Sequence, residues 1–385
     1  MTDAQNHRSP PLFVVLTELE LLHFRNLESQ QLRFPHEGAA IVGNNAQGKT
    51  NLLEAVYYLE SFRSFRGSAD TELLAFGETV FRLEARLEGG QAPTVPAAFD
   101  SVQRRKKVTV DGVEAKPLSQ ALGQLGAVVF SPADVELVSA GPAKRRRFLN
   151  ILLSLNHPGY VDALQRYRKA LAQRNAALKT GVGREGVRVW DQPVASAGAL
   201  VTRARSDWVG RWQDVFADFY KSVSGGGSAR MSYRSKAVKE DGGPERGNDR
   251  EARVMDLMEE AANGDLRLRT TTVGPHRDEV AIGVDDGSGE ISARTFGSGG
   301  QRRSAALALR LVEAATIRES RKVEPLLLLD DAFAELDDKR TGHIMALIEG
   351  EGTGQVIVTA PKESDVKHFR QRLPKWTIEN GVIAA

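Results

Sequence analysis

The sequence predicts an α/β protein in which both ends of the chain build one head and the middle inserts a mainly helical second lobe. Three observations carry this. A short apolar run, Ala39-Ala40-Ile41-Val42, passes through a glycine loop into helical spacing at Leu52, Leu53, Val56 and Leu59. Two more apolar runs, residues 325–330 and 355–359, stand far downstream with the look of buried strands, which with intervening helices imply an α/β sheet. Between them, Tyr160, Leu164, Tyr167, Leu171 and Leu178, and then Val201, Trp208, Trp212, Val215 and Phe219, form two helical stripes.

The composition sets outer bounds. The 385 residues suggest two to three domains at about 150 residues each, and 41% hydrophobic residues suffice for a sizeable core. There is no cysteine, which excludes a disulfide scaffold, a thiol nucleophile and thiolate-ligated metal. The opening stretch has an early acid, Asp3, and a five-residue apolar run at 12–16, so it is not expected to be a secretory leader. No segment approaches the roughly 20 apolar residues of a membrane span, and the expectation is a cytoplasmic protein with no membrane partner. The net charge is +2. It conceals a basic middle: residues 144–230 hold 16 Lys+Arg against 6 Asp+Glu, which suggests an acidic partner for that region.

In chain order, residues 18–21 and 32–34 alternate as short strands, and 39–42 is a buried strand. Asp111-Gly112 inside residues 104–116 is a hairpin signal, and residues 126–131 suit another buried strand. The Gly-rich, charged stretch 222–249 reads as a loop or linker, followed by a helix over 250–263. A further helix is expected from Ser298 to about Glu319. The resulting boundaries are 1–125 for the first part of the head, 126–265 for the basic helical lobe, and 266–385 for the rest of the head.

The sharpest chemical signal is Gly43-Asn44-Asn45-Ala46-Gln47-Gly48-Lys49-Thr50, followed by Asn51. This is G-x-x-x-x-G-K-[ST] between a strand and a helix. Glycines let backbone N–H groups converge on phosphate oxygens, and the helix directs its positive end at them. Lys49 should reach the β/γ-phosphates of ATP, and the Thr50 hydroxyl should ligate Mg²⁺. The run ending in Asp330-Asp331 supplies a second metal-binding carboxylate, Asp330, and a group to orient or deprotonate water, Asp331. Ser298-Gly299-Gly300-Gln301 is similar to the signature motif of ABC-type ATPases and makes a second anion site at a helix start. In that family it contacts the γ-phosphate held by another subunit. Asp337, in Ala334-Glu335-Leu336-Asp337, looks like the family's D-loop residue.

Local strings carry a closer resemblance. HFRNL at 23–27, GNNAQGKTNLLEA at 43–55, SFRSFR at 61–66 and FSPADVELVSAGPAKRRRFL at 130–149 are followed by AQRNAALK at 172–179. VGPHRDE at 273–279, SGGQRRSAALALRL at 298–311 and LLLLDDAFAELD at 326–337 complete the set. In this order they resemble the RecF family of recombination-repair ATPases, within the SMC-like ABC superfamily, from about Leu19 to Thr359. The resemblance implies an ABC-type P-loop head and a weak ATPase stimulated by DNA. It also implies an ATP-dependent homodimer with two nucleotides sandwiched between subunits, clamped on double-stranded DNA near single-strand/double-strand junctions. The partners implied are a RecR-like mediator and, indirectly, a RecO-like protein and recombinase. Asn150 and Glu279 stand where the family pattern has Asp. No switch histidine follows Val358, where Thr359-Ala360-Pro361 stands instead, and Gln120 and Gln124 are the candidates for the Q-loop glutamine.

Lys144, Arg145, Arg146, Arg147, Arg168 and Lys169 are the candidate DNA contacts, with Arg166 and Arg174 in the same basic lobe. Each taken singly also reads as part of a solvated helix face. Arg63 and Arg66 either sense nucleotide or DNA or pair with local acids. His276 is expected to be structural, and Trp208 and Trp212 to pack in the core. Two other function classes are consistent with the motifs: an ABC head energising a non-DNA or membrane partner, and an ATP-gated scaffold with negligible hydrolysis.

Overall fold

The computed structural model describes residues 12–90, 92–238, 247–285, 287, 289–331, 342, 354–369 and 372–385. The chain forms two compact units: residues up to Ala133 together with those from Glu313 onward, and Asp134–Val312.

The first unit holds two six-stranded sheets. One has the order Val382–Ala384, Lys375–Glu379, Gly38–Val42, Val356–Ala360, Leu326–Asp330, Ala127–Phe130 and is parallel except for its first strand. The three strands Leu326–Asp330, Val356–Ala360 and Ala127–Phe130 are buried along their whole length, as continuous apolar runs require in a covered parallel sheet. Register sets Ile41, Thr359 and Asp330 side by side. The carboxyl ends of these strands therefore share one edge, where open parallel sheets place their ligand sites.

The second sheet is antiparallel, in the order Gln30–Arg33, Val15–Leu22, Val80–Glu88, Thr94–Asp100, Arg105–Val110, Val113–Glu114. Its strands alternate: Phe81, Leu83, Ala85 and Leu87 face the core while Arg82 and Arg86 face out. The hairpin at Asp111-Gly112 forms with both residues at positive φ, 50° and 76°, as a tight two-residue turn demands. The helix Lys49–Ser61 packs against strands of both sheets, and Leu52, Leu53, Val56 and Leu59 are fully buried there.

The second unit contains the helices Pro142–Asn156, Tyr160–Thr180, Gly183–Arg188, Asp191–Ser224 and Gly247–Leu268. The expected stripes form its core. Tyr160, Leu164, Tyr167, Leu178, Val201, Trp208, Trp212 and Phe219 are buried, with the Trp208 ring edge-on to Phe148.

Two expectations need correction. Residues 222–249 are not one loop, because Ser228–Arg234 is a strand antiparallel to Glu279–Asp285. Gly225 and Gly226, at φ 79° and 124°, end the preceding helix, and Ala229 and Met231 then bury on alternate positions. Residues 239–246 of that stretch lie outside the described residues. The unit boundaries also differ, at 133/134 and 312/313 where the sequence suggested 125/126 and 265/266. Ala127–Phe130 pairs with Leu326–Asp330 and so belongs to the parallel sheet. The pairing of Glu279–Asp285 with Ser228–Arg234 holds the chain beyond 265 in the second unit. The second boundary falls inside the helix Gly299–Arg321.

Candidate nucleotide site

The phosphate loop joins the strand Gly38–Val42 to the helix Lys49–Ser61. Ala46 and Gly48 have φ of 66° and 114°, which turns the chain through left-handed conformations. A side chain at Gly43 would lie 2.4 Å from the Ile378 carbonyl oxygen, and one at Gly48 2.8 Å from Leu27. Neighbours brace the loop from outside. The Asn26 amide donates to the Ala46 carbonyl at 3.1 Å, the Gly381 N–H donates to the Gln47 carbonyl at 3.1 Å, and the Asn380 N–H donates to the Gln47 side chain. The helix that follows has no side-chain cap and no acid in its first turn, so its N-terminal N–H groups and dipole favour an anion.

Lys49 is buried, and its ammonium donates to the carbonyls of Gly43 at 2.8 Å and Asn44 at 3.1 Å. Thr50 donates its hydroxyl proton to Asp330 Oδ1 at 2.8 Å. Thr359, at the strand position beside Asp330, donates to the same oxygen at 3.1 Å. Burial raises the Asp330 pKa and the neighbouring Asp331 charge adds to this, against the hydrogen bonds from Thr50 and Thr359 and the Arg66 charge. Asp331 sits at φ 46°, its N–H bonded to Thr359, and among the described residues its buried Oδ1 has no hydrogen-bond partner. Burial raises the Asp331 pKa too, opposed by the Lys49 charge.

These residues suit Mg²⁺, which prefers hard oxygen ligands and usually takes only one or two from protein beside substrate phosphates. Thr50 Oγ1 and Asp330 Oδ1 are such a pair. Among the described residues no cluster of three or more His, Asp or Glu competes as a metal centre.

Ser298, Gly299, Gly300 and Gln301 start the helix Gly299–Arg321. The Ser298 N–H donates to Gln301 Oε1 at 2.7 Å, and the Gln301 N–H donates to Ser298 Oγ at 3.2 Å, a reciprocal capping box. This motif belongs to the second unit and the phosphate loop to the first. Asp337 lies outside the described residues.

Thr359 and Glu54 are the site residues that sequence reasoning missed. A threonine ending an apolar run gives no signal until strand register sets it beside Asp330. Glu54 is fully buried on the helix Lys49–Ser61 and accepts two hydrogen bonds from Arg25, Nε to Oε2 at 2.9 Å and Nη2 to Oε1 at 3.1 Å. Arg66 pairs with local groups, 3.2 Å from Asn51 Oδ1 and 3.9 Å from Glu54, whereas Arg63 is exposed. Gln120 is exposed on the turn Leu118–Ala121, and Gln124 is half-buried ahead of the strand Ala127–Phe130.

The basic candidates divide. Arg145 is removed from the DNA set: it is buried, paired with Glu279 at 2.8 Å, and donates to the carbonyls of Leu137, Val138 and Ala140. Arg174 is likewise buried between Asp191 and Asp265. Arg146 is half-buried and donates to the Asp278 carbonyl at 2.8 Å; burial lowers its pKa. Lys144 is exposed and paired with Glu136 at 2.7 Å. Arg147, Arg166, Arg168 and Lys169 are exposed. Asn150 Oδ1 accepts from Tyr160 and Arg205, each at 2.8 Å, so the amide oxygen fills the acceptor role that a carboxylate would. His276 is structural, held between the Tyr167 hydroxyl and the Thr271 carbonyl.

Comparison with known proteins adds the context. The family model described as RecF/RecN/SMC N terminal domain matches residues 15–383. The chain is 37% identical over 339 residues to the DNA replication and repair protein RecF of Synechococcus sp. (strain JA-3-3Ab), covering 86% of this chain and 87% of that one. It is 32% identical to the same-named protein of Listeria innocua serovar 6a, covering 96% and 99%. A solved structure of the recombination mediator protein RecF-ATPrS in the RecFOR pathway matches with a TM-score of 0.86 at 30% identity, covering 97% and 99%. The Smc head domain of Pyrococcus furiosus matches at 0.53 and 16% identity, over 96% and 95%, a likeness of fold alone. Among the described residues, no helix is long and apolar enough to cross a membrane.

Proposed function

The chain belongs to the RecF/RecN/SMC N-terminal domain family, where its relatives of high coverage are RecF proteins, and on that premise we propose that it is a DNA replication and repair ATPase of the RecFOR type. The observation that carries this reading is the Thr50–Asp330 hydrogen bond, which joins two phosphate-site motifs lying 280 residues apart.

ATP binds with its phosphates over residues 43–50. Lys49 supplies a point charge to the β/γ-phosphates, and the helix N-terminus adds its dipole. Thr50 and Asp330 would hold Mg²⁺, which would supply positive charge to offset the charge on the phosphate oxygens. Water attacks the γ-phosphorus, the bond to the ADP oxygen breaks, and Asp331 accepts the water proton through its unpartnered Oδ1. Ser298 and the N–H groups of Gly299 and Gly300 serve the γ-phosphate bound by a second copy, with Gln301 holding Ser298; Asp337 is assigned to the same nucleotide as its D-loop residue. Two nucleotides thus close a homodimer on duplex DNA beside single-stranded gaps, with Lys144, Arg146, Arg147, Arg168 and Lys169 on the backbone. Slow, DNA-stimulated hydrolysis opens it. A RecR-like mediator then couples the clamp to recombinase loading, with a RecO-like protein acting indirectly.

Light scattering on the full chain tests the in-trans site. Mg-ATP should convert monomer to dimer, and Ser298→Arg should stay monomeric while still binding ATP. A variant that dimerises like the wild type would remove Ser298 from the interface.

A further inference from the structure

Glu54 lies off the stripe of Leu52, Leu53, Val56 and Leu59, where helical spacing would expose a polar residue, yet it is a fully buried carboxylate one turn beyond Thr50. Its polar partners come from two segments outside the helix. Arg25 binds it through two donors, and Ser64 donates its hydroxyl proton to the same carboxylate. Arg25 also reaches the Glu72 carbonyl and the Ser68 hydroxyl, each at 2.8 Å. Ser64 in turn accepts from the N–H groups of Gly67 and Ser68. Glu54 therefore ties residues 23–27 and 64–68 to the phosphate-loop helix.

The network does not stop there. Arg66 lies 3.9 Å from Glu54 and donates to Asn51 at 3.2 Å. Asn51 donates to Asn26 at 2.6 Å, and Asn26 donates to the carbonyl of Ala46, the left-handed residue of the phosphate loop. A buried ion pair adds little net stability over a well-packed apolar side chain. A chain of oriented polar groups ending on a binding loop instead fixes geometry.

We propose that Glu54 is a positioning residue for the nucleotide site, acting through Arg66, Asn51 and Asn26 to hold the Ala46 carbonyl and so keep the phosphate loop in its binding shape. This rests on the nucleotide-binding reading above.

The test uses the full chain, a fluorescent ATP analogue and steady-state turnover. Glu54→Gln keeps the volume but loses the charge, and should weaken analogue affinity about tenfold. It should raise KM with kcat changed less than about twofold, the mark of lost uniform binding. Arg66→Gln cuts the chain at the surface while Glu54 keeps Arg25 and Ser64, so it should weaken binding in the same way with Tm unchanged. Glu54→Asp should recover part of the affinity. If Glu54→Gln does not fold, Arg66→Gln and Asn51→Ala decide. Wild-type affinity in every folded variant overturns the proposal. Failure of the unaltered protein to bind the analogue would instead remove the reading on which the proposal stands.

Discussion

The Thr50 hydroxyl donates to Asp330 Oδ1 at 2.8 Å, and Thr359 donates to the same oxygen at 3.1 Å. The carboxylate is thus oriented by a helix on one side and by the adjacent strand on the other. Such fixed orientation is what a metal ligand at the end of a parallel strand needs.

Removing that carboxylate should make nucleotide binding insensitive to divalent metal. Asp330→Ala should bind ATP at least about tenfold more weakly in Mg²⁺. Chelation by EDTA should lower the wild type to the variant's level and leave the variant unchanged. Titration calorimetry with and without EDTA measures both. A variant that still responds to Mg²⁺ would move the metal ligand elsewhere.

Asp331→Asn separates binding from turnover. Asparagine tolerates the left-handed φ of 46° at this position, so the backbone should hold. ATP affinity should stay within about twofold, while turnover falls by roughly 10²–10⁴, the usual worth of a general base. Single-turnover phosphate release reports the rate, and an unchanged rate means that another group takes the proton.

Neighbouring arginines should behave in opposite ways. Arg145→Gln strands Glu279 and three backbone carbonyls, at a cost of about 3–5 kcal/mol. Arg147→Gln is at the surface and should stay within about 0.5 kcal/mol. Urea unfolding compares them. Equal stability of the two variants would contradict the burial of Arg145.

His276 predicts a pH dependence. Its Nε2 faces the Thr271 carbonyl, which can only accept, and its Nδ1 faces the Tyr167 hydroxyl, which can donate to the neutral ring. Burial lowers its pKa from the ordinary value of 6.5, and the charges of Arg277 and Arg146 act in the same direction. The unfolded chain therefore takes up the proton first as pH falls. Stability should drop as pH passes below about 6.5 and level off below the folded-state pKa. His276→Gln should flatten that part of the Tm profile, and an unchanged slope would assign the effect to other groups.

Much of the site was legible because its motifs are local. The glycine spacing at 43–50, the apolar run ending in Asp330 and the Ser298–Gln301 spacing each state a turn, strand or cap within a few residues. What stayed hidden depends on tertiary neighbours. Arg145 sits in a charge run that reads as solvated until Glu279 and the carbonyls at 137–140 surround it. Glu54 reads as an exposed helix position until Arg25 folds over it. The strand Ser228–Arg234 is masked by the preceding glycines, and its pairing with residues 279–285 is what extends the second unit.

Equilibrium binding to a fluorescent gapped duplex, with and without Mg-ATP and at two salt concentrations, tests the ATP-closed clamp. Binding should be tight only with Mg-ATP and should weaken steeply as salt rises, because phosphate contacts release counterions. Binding indifferent to ATP, or absent in both states, would contradict an ATP-closed clamp on DNA.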